Sequence, residues 1–241
     1  MGRTIATLAL EDKRFSIASA LESDGHPDLG RDYGAILGRS SALGVKLSSD
    51  VNASFKSADV VIEFTLPEVT AIHAQIAREL KKPIVIGTTG LSDVQLTTLK
   101  GCANLVPIVF SPNMSVGVNV LFELAGLAAA RLGLSYDVEV VEAHHKQKKD
   151  APSGTAKRLV EVLAEARKQP AASVPAHAVR AGDIVGDHTV ILAGASERLE
   201  LTHRAQSRAV FAQGALRAAA FIQNQPPGWY DMAHVLRASA A

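Results

Sequence analysis

The chain has 241 residues, of which 47% are apolar and 20% charged, and its formal net charge is +1. That balance supports a sizeable buried core, excludes a disordered chain, and lacks the basic excess of a dedicated nucleic-acid binder. The one cysteine, Cys102, rules out an internal disulfide and with it a disulfide-stapled secreted domain. No apolar run reads as long enough to span a bilayer, and Met1-Gly2-Arg3-Thr4-Ile5 lacks the layout of a signal peptide, so a cytoplasmic location without membrane attachment is expected.

Along the chain, strands and helices alternate. Phe15–Leu21 reads as a strand, and the acidic Glu22 follows it. Asp59–Phe64 is a short apolar run that predicts a buried strand. Pro67 then opens a helix whose apolar residues Val69, Ile72, Ile76 and Leu80 recur at helical spacing. Pro83–Ile86 is the next strand and ends at Gly87-Thr88-Thr89-Gly90. Ser92 has the chemistry of an N-cap for a helix through about Lys100. Leu105–Phe110 is a third apolar run. This alternation predicts βαβ units and a parallel sheet.

The character changes near Asn113–Gly117. Asn119–Leu132 predicts a helix, and Tyr136–Glu142, His188–Leu192 and Arg198–His203 predict strands. In the last of these, Leu199 and Leu201 alternate with Glu200 and Thr202, as on a sheet with one wet face. Lys168–Pro175 reads as a surface loop, Ala209–Ile222 as a helix and Ala238–Ala241 as a frayed tail. The expected architecture is a parallel α/β domain followed by a mixed sheet with helices on one face.

Chemistry concentrates in Glu142-Ala143-His144-His145-Lys146-Gln147-Lys148-Lys149-Asp150-Ala151-Pro152-Ser153-Gly154-Thr155-Ala156. Crowded cations lower one another's pKa, so a histidine here is poised to donate a proton near neutral pH. Pro152–Thr155 opens a predicted helix whose free N–H groups suit an anion, such as a carboxylate or phosphate. The lysines alone would read as a solvated surface run, and Ser153-Gly154-Thr155 alone as a helix cap. A metal site is not expected, because adjacent histidines at a strand end point apart and no third ligand is suitably spaced. Gathered in one short stretch, the features favour a site.

That stretch resembles the signature E-x-H-H-x-x-K-x-D-A-P-S-G-T-A of the 4-hydroxy-tetrahydrodipicolinate (dihydrodipicolinate) reductases, with every fixed position present. Similar pieces occur in family order: Glu63–Pro67, Gly87–Gly90, Ser111–Asn119, Arg180–His188 and Glu197–His203. The resemblance implies an α/β fold, with a Rossmann-like parallel-sheet cofactor domain at residues 1–114 and 216–241. It implies a mixed-sheet α+β substrate and oligomerisation domain at residues 115–215. The implied reaction is NAD(P)H-dependent reduction of 4-hydroxy-tetrahydrodipicolinate to tetrahydrodipicolinate in lysine and diaminopimelate biosynthesis, by a homotetramer. Residue by residue, it implies that His144 donates the proton and Lys148 assists it. His145, Gly154 and Thr155 would hold the dicarboxylate substrate. Gly87, Thr88, Thr89, Ser111, Pro112, Asn113 and Met114 would line the nicotinamide cofactor, and Glu22 would meet its ribose. NADH is expected over NADPH, because Glu22 is followed by Ser23 and Asp24 rather than by an arginine, although Lys13 and Arg14 are near in sequence.

Two departures from the family pattern accompany the resemblance. Met1-Gly2-Arg3 matches the interior of the family's glycine-rich phosphate loop, so a missing first strand, unpaired strand edges and weakened cofactor binding are expected. Ala171–Pro175 is shorter than the family loop at that point. The rival readings are a catalytically impaired binding protein that keeps the dicarboxylate site, and another NAD(P)-dependent reductase on the same scaffold. An aldehyde dehydrogenase of the latter kind would need a catalytic cysteine, and Cys102 falls near a predicted helix end.

Overall fold

The computed structural model describes residues 1–238, and its contacts divide the chain into two units. One comprises Met1–Met114 and the chain from Ala212 onward; the other is Ser115–Phe211.

The first unit begins with α1 (Gly2–Ala9), β1 (Ala20–Leu21), α2 (Tyr33–Ile36), β2 (Leu47–Ser48) and α3 (Val51–Ser57). Asp32 caps α2 and also accepts N–H bonds from Leu43 and Gly44, closing the loop between α2 and β2. Next come β3 (Val61–Glu63), α4 (Pro67–Glu79), β4 (Ile84–Ile86), α5 (Asp93–Ala103) and β5 (Pro107–Phe110). Pro67 sits in the first turn of α4. Ser92 and Gln95 form a reciprocal capping box at α5, which runs to Ala103, beyond the expected Lys100. Strands β3, β4 and β5 pair in parallel, with Glu63 opposite Ile86 and Ile86 opposite Phe110. Their carboxyl ends are therefore level. Ile84, Val85, Ile86, Ile108 and Val109 are fully buried, as strands covered on both faces must be.

The expected strand Phe15–Leu21 is realised only at Ala20–Leu21. Among the described residues β1 pairs with β2 alone and β3 with β4 alone. A cavity of about 340 Å³ is lined by Ile17–Leu21 and by Val60–Glu63, with Ile5 of α1 also in its wall. Among the described residues Phe15–Ser19 has no neighbouring strand to complete a ladder, and without those hydrogen bonds an apolar run does not become sheet.

The second unit contains α6 (Val116–Leu132), β6 (Asp137–His144), α7 (Gly154–Arg167), β7 (Ala176–Arg180), β8 (Asp187–Ala193) and β9 (Arg198–Arg204). Helix α6 starts three residues before the expected Asn119, because Ser115 Oγ accepts the Val118 N–H. The sheet order is β7-β6-β8-β9, with β6 and β7 parallel and the other pairs antiparallel. Leu121 and Ala125 of α6 and Leu159 and Leu163 of α7 pack with Val140 and Leu192 of the sheet in one core. Strand β7 is absent from the sequence-based reading. The segment expected as a surface loop, Lys168–Pro175, contains a 3₁₀ turn at Ala171–Ser173 and buries Val174 just ahead of β7.

One expectation fails outright. Val116–Ser135 is long and apolar enough to cross a membrane by length and composition. Its charged residues are Glu123 and Arg131. In the fold its Val118, Leu121, Ala125 and Ala129 form a buried stripe.

The chain returns through α8 (Ala209–Ile222), β10 (Gly228–Tyr230) and α9 (Met232–Ala238). Strand β10 adds to β5 in parallel, giving the order β10-β5-β4-β3. Ala212, Ala215 and Leu216 of α8 pack on Ile5 and Ala9 of α1. A Cβ on Gly214 would lie 1.7 Å from the Met114 carbonyl oxygen, so only glycine lets α8 come this close. Of the tail expected to fray, Ala238 closes α9, and residues 239–241 lie outside the described residues.

Candidate active site

The pleat of β6 sends Val138, Val140, Glu142 and His144 to its buried face. A fully buried carboxylate in that row requires partners, and Glu142 has four hydrogen bonds. Arg180, at the end of β7, donates from Nη1 to Oε2 and from Nη2 to Oε1, both at 2.8 Å. The Ser153 N–H donates to Oε1 at 3.0 Å. His144 Nδ1 lies 2.5 Å from Oε2. Burial alone would raise the Glu142 pKa; the bonds from Arg180, His144 and Ser153 outweigh it and hold the carboxyl down to about 2.

His144 is itself buried. Burial lowers its pKa, contact with Glu142 opposes that fall, and the Lys148 and Arg180 charges add to it. The shift has the expected direction, but desolvation is its main cause and cationic crowding is secondary. His188 of β8 lies edge-on to His144, with ring centroids 5.2 Å apart. Burial, then the neighbouring His144, push its pKa down to about 3, so His188 is neutral. Its Nε2 lies 3.2 Å from Ser153 Oγ.

Ser153 caps α7, its Oγ accepting the Ala156 N–H at 3.1 Å. Gly154 and Thr155 thus form the first turn of a fourteen-residue helix, close in sequence to the β6 end. Lys148 Nζ lies 2.7 Å from Asp150 Oδ1. Arg180 Nη2 also donates to the Asp150 carbonyl, tying down the loop that carries Lys148. Buried His145 Nδ1 has no hydrogen-bond partner among the described residues. The structure therefore gathers His144, His145, Lys148, Gly154 and Thr155 around the β6 end and the α7 start. It adds Arg180 and His188, to which sequence reasoning gave no role, gives Glu142 partners there, and bears out Ser153 as the cap of α7. Arg180 and His188 bound one quoted motif, Arg180–His188; nothing local pairs either with the histidine stretch.

The remaining candidates belong to the first unit. Gly87 follows β4, and its N–H bonds to the Glu63 carbonyl at 2.9 Å. A Cβ there would lie 2.3 Å from the Phe64 ring, so glycine is needed for Phe64 to pack. Thr88 is buried and accepts from Thr70 Oγ1 at 2.8 Å; Thr89 is exposed. Ser111 follows β5 and donates from Oγ to the Asn113 carbonyl at 2.7 Å; Pro112 is exposed and Met114 buried. Exposed Glu22 follows β1 and accepts the Ser23 N–H at 2.9 Å. Hydroxyl and main-chain groups thus cluster at the carboxyl ends of adjacent parallel strands, where α/β sheets bind nucleotides, and this donor set fits the amide and hydroxyls of a nicotinamide nucleotide. Cys102, by contrast, is 1% exposed within α5 and its thiol pKa is raised by burial, which makes it unfit as the nucleophile of an aldehyde dehydrogenase.

A parallel-sheet unit with nucleotide-compatible groups at its strand ends, and a second unit that gathers two histidines, a lysine and a helix start, fit the class of NAD(P)H-dependent oxidoreductases. The comparisons narrow that class. The family pattern described as dihydrodipicolinate reductase, N-terminus, matches residues 1–114, and its C-terminal counterpart matches residues 117–236. The chain belongs to this family, the 4-hydroxy-tetrahydrodipicolinate reductases of lysine biosynthesis. It is 45% identical over 253 aligned positions to the 4-hydroxy-tetrahydrodipicolinate reductase of Polynucleobacter necessarius subsp. necessarius (strain STIR1), covering 98% of this chain and 94% of that protein. Identity to the enzyme of the same name from Syntrophus aciditrophicus (strain SB) is 44%, with the same coverage. The dipicolinate-bound dihydrodipicolinate reductase from Paenisporosarcina sp. TG-14 shares the fold, with a TM-score of 0.79, 22% identity, and coverage of 95% of this chain and 92% of that one.

Proposed function

We propose that this oxidoreductase reduces 4-hydroxy-tetrahydrodipicolinate to tetrahydrodipicolinate with loss of water, and that His144 donates the proton. The observation that carries this reading is the buried imidazole of His144, held at Nδ1 by Glu142 beside Lys148 and the start of α7. A bound NADH or NADPH supplies the hydride. Hydride addition to the conjugated ring leaves negative charge on a neighbouring atom. With Nδ1 engaged by Glu142, Nε2 of the imidazolium is the nitrogen that gives the proton. Lys148 assists delivery and balances substrate charge. His145, through its unpartnered Nδ1, and the first-turn amides of Gly154 and Thr155 take the carboxylates.

Gly87, Thr88, Thr89, Ser111, Pro112, Asn113 and Met114 line the cofactor in this reading, and Glu22 receives its ribose hydroxyls. That favours NADH. A homotetramer assembled through the second-unit sheet belongs to the same reading. A cytoplasmic location goes with the biosynthetic role.

The test is NADH consumption by the purified chain in the presence of 4-hydroxy-tetrahydrodipicolinate, with dipicolinate as a competing ligand. Substrate-dependent oxidation inhibited by dipicolinate is expected. Dipicolinate binding without NADH consumption would instead favour a binding protein that keeps the dicarboxylate site.

A further inference from the structure

Glu142 is the most heavily bonded buried acid of the second unit, and the reading above uses only its contact with His144 Nδ1. Its carboxylate joins the ends of β6 and β7 and the start of α7. Each oxygen takes one Arg180 nitrogen, Oε1 also takes the Ser153 N–H, and Oε2 also meets His144 Nδ1. His144 and Arg180 are register partners across β6 and β7, yet the guanidinium reaches past the imidazole to the carboxylate. The arginine also holds the Asp150 carbonyl and thereby the Lys148 loop.

We infer that Glu142 and Arg180 form a positioning couple for His144: Glu142 fixes the Nδ1–H tautomer and favours the imidazolium, while Arg180 restrains that preference by holding the same carboxylate. The inference rests on His144 being the proton donor. A bare carboxylate against a buried imidazole would hold the proton too firmly for ready release. A neutral group there would leave the ring without a charge to favour its protonated form. Sharing the carboxylate with a guanidinium sets an intermediate condition. It also fixes which nitrogen faces the reaction, since Nδ1 is committed to Oε2. The charged and titratable groups facing His144 are Glu142 on β6, Arg180 on β7, His188 on β8 and Lys148 in the following loop. His188 is held neutral by burial and contributes no charge near neutral pH. Lys148 is shared with Asp150.

The couple predicts opposite effects from its two members. The rate should fall as pH rises through the His144 titration. Glu142→Gln removes the anion and should move that fall at least threefold in proton concentration toward lower pH. Arg180→Gln frees the carboxylate and should move it a similar amount toward higher pH. Arg180→Lys keeps a cation but loses the two-pronged contact, and should move it the same way by less. The His144 ring titration, followed by NMR in the resting protein, should shift in the same two directions. This second readout needs no turnover, so it separates the couple from the catalytic role. If His144→Gln retains full turnover, the catalytic reading fails while the ring titration still tests the couple. Should Glu142→Gln or Arg180→Gln not fold, Arg180→Lys carries the test. Variants that slow the enzyme equally at every pH and leave the His144 titration in place would overturn the inference.

Discussion

A Cβ on Gly186 would lie 3.1 Å from His144 Nε2, the nitrogen that Glu142 leaves available. Gly186 immediately precedes β8, and its own backbone conformation is one that other residues adopt. Its value is therefore space. Gly186→Ala is expected to fold and to bind NADH normally, but to lose roughly tenfold to hundredfold in kcat through displacement of the imidazole. Steady-state kinetics alongside a melting curve would check this, and an alanine variant with unaltered kcat would show that the space is idle.

His144→Gln and Lys148→Ala address the chemistry directly. Loss of a positioned acid costs about 10²–10⁴-fold in rate. Each variant should depress turnover while leaving NADH affinity largely intact, because the residues proposed to line the nucleotide are in the first unit. The readouts are kcat and the NADH dissociation constant. Near-full turnover in either variant would remove that residue from the proposed mechanism.

Cofactor choice follows from the charges after β1. Glu22 and Asp24 present two carboxylates around Ser23. Arg14, the nearby arginine, is engaged by Asp12 through both carboxylate oxygens. A ribose phosphate would meet two carboxylates, with Arg14 already committed to Asp12 and Lys13 the remaining cation near in sequence, so kcat/KM should be higher for NADH than for NADPH. Ser23→Arg should narrow or reverse the ratio. A wild-type preference for NADPH contradicts the assignment of Glu22.

Acid should weaken the second unit in two overlapping ranges. Below about pH 6.5 an unfolded His188 gains a proton that the folded residue refuses until about pH 3, so stability falls as pH falls through that window. Glu142, depressed from 4.5 to about 2, contributes stability present above pH 4.5 and lost between there and pH 2. Each is worth on the order of a few kcal/mol, at about 1.4 kcal/mol per pKa unit. Urea midpoints measured across this range should decline below about pH 6.5. In His188→Gln the upper part of that decline should shrink, leaving the share of His144 and His203, which burial also pushes down, and a decline equal to the wild type's would mean that other groups carry it.

The elements legible in the sequence were those with a strong local signal. Pro67 at the head of α4, Ser92 before α5 and the uninterrupted Ile84-Val85-Ile86 core strand are fixed by neighbours along the chain. Strand β7 was not legible, since Ala176–Arg180 has no apolar alternation and is largely exposed. It becomes a strand through parallel pairing with β6, a partner more than thirty residues away. Phe15–Ser19 shows the reverse, a strand-like run left without a ladder. In the site, the histidine stretch was visible because its chemistry is contiguous. The Glu142–Arg180 contact was not, because 38 residues separate the two and only the fold gives the carboxylate a reason to be buried.

The contact between Gly214 and the Met114 carbonyl bears on how the molecule is made. The first unit is interrupted by the whole of the second, and α8 is one of the pieces that complete it. A nascent chain that has passed Met114 has not yet emitted the helix that packs on Ile5 and Ala9. The amino-terminal half must await residues made nearly a hundred positions later, and its assembly carries a high contact order. The usual sequence of synthesis, with the leading domain finished first, is reversed here: the inserted unit is a continuous stretch and can close before the unit that precedes it.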